Sequence, residues 1–203
     1  MLARIILVRH GKTDWNWKLR IQGGSSDTPL NAEGRQQAEN MASRLSQRDI
    51  WAIYSSPLKR AFETAEIINR HHNVEIMVEK SLREIEAGEL EGATSTELGK
   101  RFSEILTQDG VSNRMPGGES LTDLQKRSWG LIQQINHKHP DGELIVVSHY
   151  FVILTIICSA LTLPLSHITR FRLSTGSISI INLDEKEVRL ELFNDTGHLV
   201  QFP

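Results

Sequence analysis

Cysteine is nearly absent from this chain: Cys158 is the only one in 203 residues. That excludes an internal disulfide and favours a reducing compartment. Its neighbours, Val152 to Ile157, are largely apolar, which suits a packing role and lacks the electropositive surroundings of a reactive thiol. Charge of one sign is also lacking. Lys and Arg total 23 against 25 Asp and Glu, a formal net charge of −2, so there is no overall basic footprint for nucleic acid. No apolar run approaches the roughly 20 residues of a membrane span. Met1 leads directly into the first strand-like run, so no signal peptide is expected. A cytoplasmic protein with neither nucleic-acid nor membrane partners is expected. Repeats, low-complexity tracts and linkers are missing as well, so one domain over 1–203 is expected. The eight histidines show no metal-ligand spacing, and no metal or other cofactor is expected.

What is present alternates between strand and helix patterns, which favours an α/β architecture. Ile5-Ile6-Leu7-Val8 reads as a buried strand that ends abruptly in Arg9, His10 and Gly11. A polar, glycine-containing stretch leads to Asn31, a helix N-cap candidate, and Ala38, Met41, Ala42 and Leu45 then recur at helical spacing. Trp51 to Tyr54 reads as a strand. Ser56-Pro57 resembles an N-cap with proline at the first helical position, and the helix runs on through Ala61, Ala65 and Ile68. Val74 to Val78 is a third strand, Thr96 to Leu106 a helix, and Ser120 with Asp123 a capping box opening a long helix towards His137. Leu144 to Ser148 repeats the opening theme, a buried strand running into His149, and a largely apolar helix follows to Thr162. Ser177–Leu183 and Val188–Phe193 read as a closing hairpin.

Three strand ends therefore carry polar groups. In open α/β sheets ligands bind outside the carboxyl ends of the strands, and neighbouring strands lie only about 5 Å apart. Arg9 and His10 follow the first strand, Arg60 lies on the helix after the second, and His149 follows the fourth. Arginine offers a planar fork of donors, and neutral histidine can act as a nucleophile. A tetrahedral dianion, phosphate above all, suits two arginines and a second histidine. An acid is also needed for a departing alkoxide. The run Leu82 to Gly92 offers Glu84, Glu86, Glu89 and Glu91, and composition does not choose among them.

Ordered blocks along the chain carry a resemblance. They are Leu7-Val8-Arg9-His10-Gly11 with Thr13, Trp15 and Asn16; Gln22-Gly23; Asp27 to Asn31 with Gly34; and Ser55 to Ala61 with Thr64-Ala65. Leu82-Arg83-Glu84 with Gly88 and Glu91-Gly92, Gly117 to Ser120, and Val146 to His149 complete the series. The chain resembles the histidine phosphatase superfamily, or phosphoglycerate mutase-like proteins, over almost its whole length. The resemblance implies a three-layer α/β/α fold with a mostly parallel sheet. It implies that His10 becomes phosphohistidine, that Arg9, Arg60 and His149 hold the phosphoryl oxygens, and that Glu84 donates the proton. Asn16, Gln22 and Gly23 match positions at the phosphate pocket, and Tyr150 follows the second histidine there.

The implied activity is metal-independent hydrolysis of a small phosphorylated metabolite, of the phosphoserine or α-ribazole phosphate type. The stretch after Glu84 resembles the phosphatase branch; a phosphoglycerate mutase and a non-catalytic phosphate-binding regulator are the alternatives. Segment 93–118 is expected to cover the substrate. Lys18, Arg20, Lys100, Arg101 and Arg114 are candidate donors to a substrate carboxylate, and His198 is a candidate substrate contact. Two departures stand out: Lys12 where the family usually has Glu or Gln, and Tyr150-Phe151 where small or apolar residues are common. The terminal hairpin leaves open a homodimer formed through a sheet edge.

Overall fold

The computed structural model describes residues 2–94, 96–97, 112–184 and 187–199. Six strands form one sheet: β1 (Leu2–Arg9), β2 (Ile50–Ser55), β3 (Ile76–Val78), β4 (Glu143–Ser148), β5 (Ile178–Asp184) and β6 (Val188–Asp195). Their spatial order is β3-β2-β4-β1-β5-β6. The first four strands are parallel, while β5 and β6 join antiparallel as the expected hairpin.

Alternation along each strand feeds two cores. Ile5, Leu7, Leu144 and Val146 point into one, with residues of α4 (Leu121–Lys138) and α5 (Tyr150–Ala160). Ile6, Val8, Ile145 and Val147 point into the other, with α2 (Ala32–Leu45) and α3 (Lys59–Asn69). The result is the expected α/β/α sandwich. The middles of its central strands, Ile5 to Val8 and Leu144 to Val147, are continuously apolar because both faces are covered.

Local signals hold where the partner is local. The Asn31 side chain accepts from the Gly34 N–H at 2.8 Å, and Ser120 with Asp123 forms the expected capping box. The Ser56 expectation fails. Helix α3 begins only at Lys59, with Leu58 at its N-cap and no side-chain cap. A one-turn helix, α1 (Asp14–Trp17), occupies the polar stretch after β1, capped by Thr13 and Asn16. The third strand is shorter than expected, and the helix expected over 96–106 lies outside the described residues except for Thr96 and Glu97. At the sheet edge, β6 turns Arg189 and Glu191 outward. No helix among the described residues is long and apolar enough to cross a membrane.

Candidate active site

Register brings the three strand ends together. β1 pairs with β4 so that Arg9 faces Ser148, and β2 pairs with β4 so that Ser55 faces Val147. The next residues, His10, His149 and Ser56, therefore meet at one end of the sheet. The His10 and His149 rings lie 5.1 Å apart, and both are buried. Gly11 lets the chain leave β1 against Gly34: a Cβ at Gly11 would stand 2.3 Å from the Gly34 carbonyl oxygen.

Hydrogen bonding assigns the His10 tautomer. His10 Nδ1 lies 2.7 Å from the Gly11 carbonyl, which only accepts, so Nδ1 carries the proton and Nε2 keeps its lone pair. Burial first, then the charges of Arg60 and Arg9, hold its pKa well below the usual imidazole value. His10 is accordingly neutral at pH 7. The Ser56 hydroxyl accepts from the Leu58 N–H at 3.3 Å and lies 2.8 Å from His149 Nε2. His149 Nδ1, on the other side of the ring, is a buried atom with no protein partner.

The two arginines are oriented by carbonyls. Arg60 is fully buried and donates to the Ser26 oxygen at 2.7 Å and the Gly23 oxygen at 3.2 Å. Burial pulls its pKa down to about 10, so it stays charged at pH 7. Arg9 donates to the Leu173 oxygen, and its guanidinium sits 5.1 Å from the centre of the Tyr150 ring. The Tyr150 hydroxyl donates to the Phe171 carbonyl at 3.1 Å, which fixes the ring beside Arg9. The Nε atoms of both arginines are buried without a protein partner.

Of the four glutamates, only Glu84 is placed for acid chemistry. It is buried, and its oxygens accept from the Ile85 and Phe151 backbone N–H groups at 2.9 and 3.3 Å. Burial raises its pKa above the ordinary carboxyl value, against the pull of those N–H groups and of Arg60 and Arg9. Glu86 pairs with Arg83 at 3.0 Å, Glu91 accepts from the Ser25 N–H at 2.9 Å, and Glu89 is exposed.

Two amides sit beside this centre. Asn16 accepts from the Thr13 N–H at 3.0 Å, and Gln22 accepts from the hydroxyls of Thr13 and Thr28. Their carbonyl oxygens are thus engaged and their NH₂ donors remain for a ligand. Gly23 is buried, with its carbonyl on Arg60. An open cleft of about 420 Å³ adjoins, lined among others by Arg9, Lys12, Asn16, Arg20 and Ser174. Lys12 is bonded to Glu33 at 2.8 Å.

Several expectations are not brought into the centre. His198 donates from Nε2 to the Gly176 carbonyl at 2.8 Å, bracing the turn whose N–H bonds the Arg9 and His10 carbonyls. Lys18 is exposed, and Arg114 pairs with Asp123 at 2.9 Å. Lys100, Arg101 and most of segment 93–118 lie outside the described residues. Sequence reasoning missed Ser56 as the partner of His149, and also missed Arg127, whose side chain reaches the backbone of Glu84. Among the described residues, no cluster of three or more His, Cys, Asp or Glu side chains is arranged to hold a metal.

Comparison with known proteins places the whole chain. A family model for the histidine phosphatase superfamily (branch 1) matches residues 5–196. The chain is 31% identical to phosphoserine phosphatase 1 of Hydrogenobacter thermophilus, over 99% of this chain and 96% of that protein. It is 37% identical to phosphoglycerate mutase-like protein 4 of Arabidopsis thaliana, over 97% of this chain and 87% of the relative. A phosphoserine phosphatase of Entamoeba histolytica, solved in complex with phosphoserine, superposes with a TM-score of 0.86. That protein is 30% identical, with 98% of this chain and 100% of the other covered.

Proposed function

The chain belongs to the histidine phosphatase superfamily, and we propose that it hydrolyses a small phosphorylated metabolite through a phosphohistidine formed on His10. The observation that carries this reading is the 2.7 Å contact between His10 Nδ1 and the Gly11 carbonyl, which leaves Nε2 as a free lone pair in a cationic pocket. In the first step Nε2 attacks phosphorus while the bond to the leaving oxygen breaks. The Glu84 carboxyl proton passes to that oxygen, leaving Glu84 ionised. In the second step Glu84 takes a proton from water, the water oxygen bonds to phosphorus, and the nitrogen–phosphorus bond breaks. Imidazole and carboxyl are both restored. Arg9, Arg60, His149 Nδ1 and the amides of Asn16 and Gln22 would hold the phosphoryl oxygens as charge spreads over them.

Phosphoserine is the first substrate to test, since two of the relatives described are phosphoserine phosphatases. A screen of phosphoserine, α-ribazole phosphate and generic monoesters by kcat/KM, with His10→Ala as control, tests the reading. Hydrolysis of at least one ester by wild type and not by His10→Ala is expected. Wild type inactive on every ester would overturn it. The mutase alternative, suggested by the Arabidopsis relative, requires a centre shielded from water during transfer. Interconversion of 2- and 3-phosphoglycerate faster than their hydrolysis would decide for it. A cytoplasmic location belongs to the same reading and is consistent with the buried free thiol of Cys158.

A further inference from the structure

Glu84 sits on no regular element. It follows the 3-10 turn Lys80–Leu82 and leads into a loop, yet a proton donor must be held within a fraction of an ångström of its target. The chain around it is gripped from α4. Arg127 donates from Nη1 to the Ser81 carbonyl at 2.7 Å and from Nη2 to the Glu84 carbonyl at 3.2 Å. The same guanidinium makes a two-pronged pair with Glu119, at 2.8 Å from Nε and 3.0 Å from Nη2. Glu119 in turn exchanges bonds with Glu86: its N–H donates to the Glu86 carbonyl at 2.8 Å, and its carboxylate accepts from the Glu86 N–H at 3.3 Å. The backbone is therefore held at residues 81, 84 and 86, on both sides of the acid.

We propose that Arg127, paired with Glu119, is a positioning residue that fixes Glu84 for proton donation. The proposal rests on the phosphatase reading above. Only a planar five-donor fork serves one carboxylate and two carbonyls together; lysine does not. The pairing also matters electrically. A lone cation at this place would favour ionised Glu84, and the Glu119 carboxylate cancels that charge, so the grip is mechanical without opposing the protonated state. Glu84 already faces Arg60 from α3, Arg9 from β1, the Ile85 N–H from its own loop, and Tyr150 and the Phe151 N–H from α5. Arg127 also lines a solvent-open cleft of about 430 Å³ with Ser81 and Lys126, so a small guanidinium in solution can reach its place.

The test compares kcat/KM for an alkyl phosphate, a poor leaving group, with that for p-nitrophenyl phosphate, a good one. General acid catalysis contributes about 10²–10⁴-fold. Arg127→Ala is expected to lose roughly 10–100-fold on the alkyl ester, part of that contribution, and under about threefold on the nitrophenyl ester. Arg127→Lys should fall between wild type and Arg127→Ala, and ethylguanidine should restore alkyl-ester turnover in Arg127→Ala. Equal losses on both esters, or no loss on either, would overturn the proposal.

Carbon-13 NMR of the Glu84 carboxyl separates its failure from failure of the phosphatase reading. Arg127→Ala unmasks Glu119 and should raise the Glu84 titration midpoint; Glu119→Gln unmasks Arg127 and should lower it. Wild type inactive on all esters with these opposite shifts would defeat the phosphatase reading alone. Unmoved midpoints would defeat the clamp.

Discussion

The cations at the end of the sheet and those on the surface are held in different ways. Arg60 and Arg9 are oriented by the carbonyls of Ser26, Gly23 and Leu173, and among the described residues neither forms an ion pair. Lys12, Arg35 and Arg70 are bound to the carboxylates of Glu33, Glu63 and Glu39. A carbonyl fixes a guanidinium without neutralising it, so the full charge remains for a ligand. A carboxylate fixes it and cancels it. The location of free positive charge thus follows from partner type, and it coincides with the buried, unpartnered atoms Arg9 Nε, Arg60 Nε and His149 Nδ1. The mechanism proposed above draws on the first group of cations and not on the second.

The largest effect expected is loss of the nucleophile. His10→Ala should lower kcat/KM by about 10⁴-fold or more, as for other covalent catalysts. Removing a carbonyl-held cation comes next. Arg60→Ala should cost roughly 10²–10³-fold, the usual loss when a preorganised donor to a transition state is deleted. A loss under tenfold would break the distinction between the two groups.

Glu84→Gln should reduce alkyl-ester turnover far more than nitrophenyl-ester turnover, and it should also change the pH dependence of stability. The folded-state pKa of Glu84 is raised, so above the ordinary value of 4.5 the folded protein binds a proton that the unfolded chain has released. Wild-type stability is therefore lost as pH rises from 4.5 towards the Glu84 pKa, and the variant lacks that loss. Differential scanning calorimetry at pH 4.5 and 7 should show Tm of wild type falling relative to Glu84→Gln; parallel curves would contradict a raised pKa.

The smallest effect is expected at the surface. Lys12→Ala should change kcat/KM by under about threefold and stability by under about 1 kcal/mol, because a partly exposed ion pair contributes little. Glu33→Gln should act in the opposite sense, freeing Lys12 and lowering KM for an anionic ester. No change in KM would mean that Lys12 is too remote to matter once freed.

Much of this was legible because the fold is built from local and periodic signals. The apolar strands and the caps at Asn31 and Ser120 depend on neighbours three or four residues away, and they stand as expected. Ser56 was misread because its hydroxyl serves a histidine 93 residues further on, a partner that propensity does not register. Glu84 stood among four equal candidates in composition and was singled out only by resemblance. The structure separates them by occupying Glu86 and Glu91 with Arg83 and Ser25. Arg127 left no signal of its own, since a mid-helix arginine ordinarily marks a solvated face. His198 braces a backbone turn, which needs the fold to be seen. Tyr150 follows His149 in the sequence, and the contact of its ring with the Arg9 guanidinium, 5.1 Å from the ring centre, needs the fold to be seen.

In the proposed mechanism the neutral His10 accepts the phosphoryl group on Nε2. The most direct measurement is a rapid quench of wild type with p-nitrophenyl phosphate into alkali, followed by phosphorus NMR and peptide mapping of the trapped protein. One phosphoryl group is expected, on His10 Nε2, and none in His10→Ala. A phosphoryl group on any other residue would contradict it, as would steady turnover with no phosphoenzyme and inversion at a chiral phosphorus.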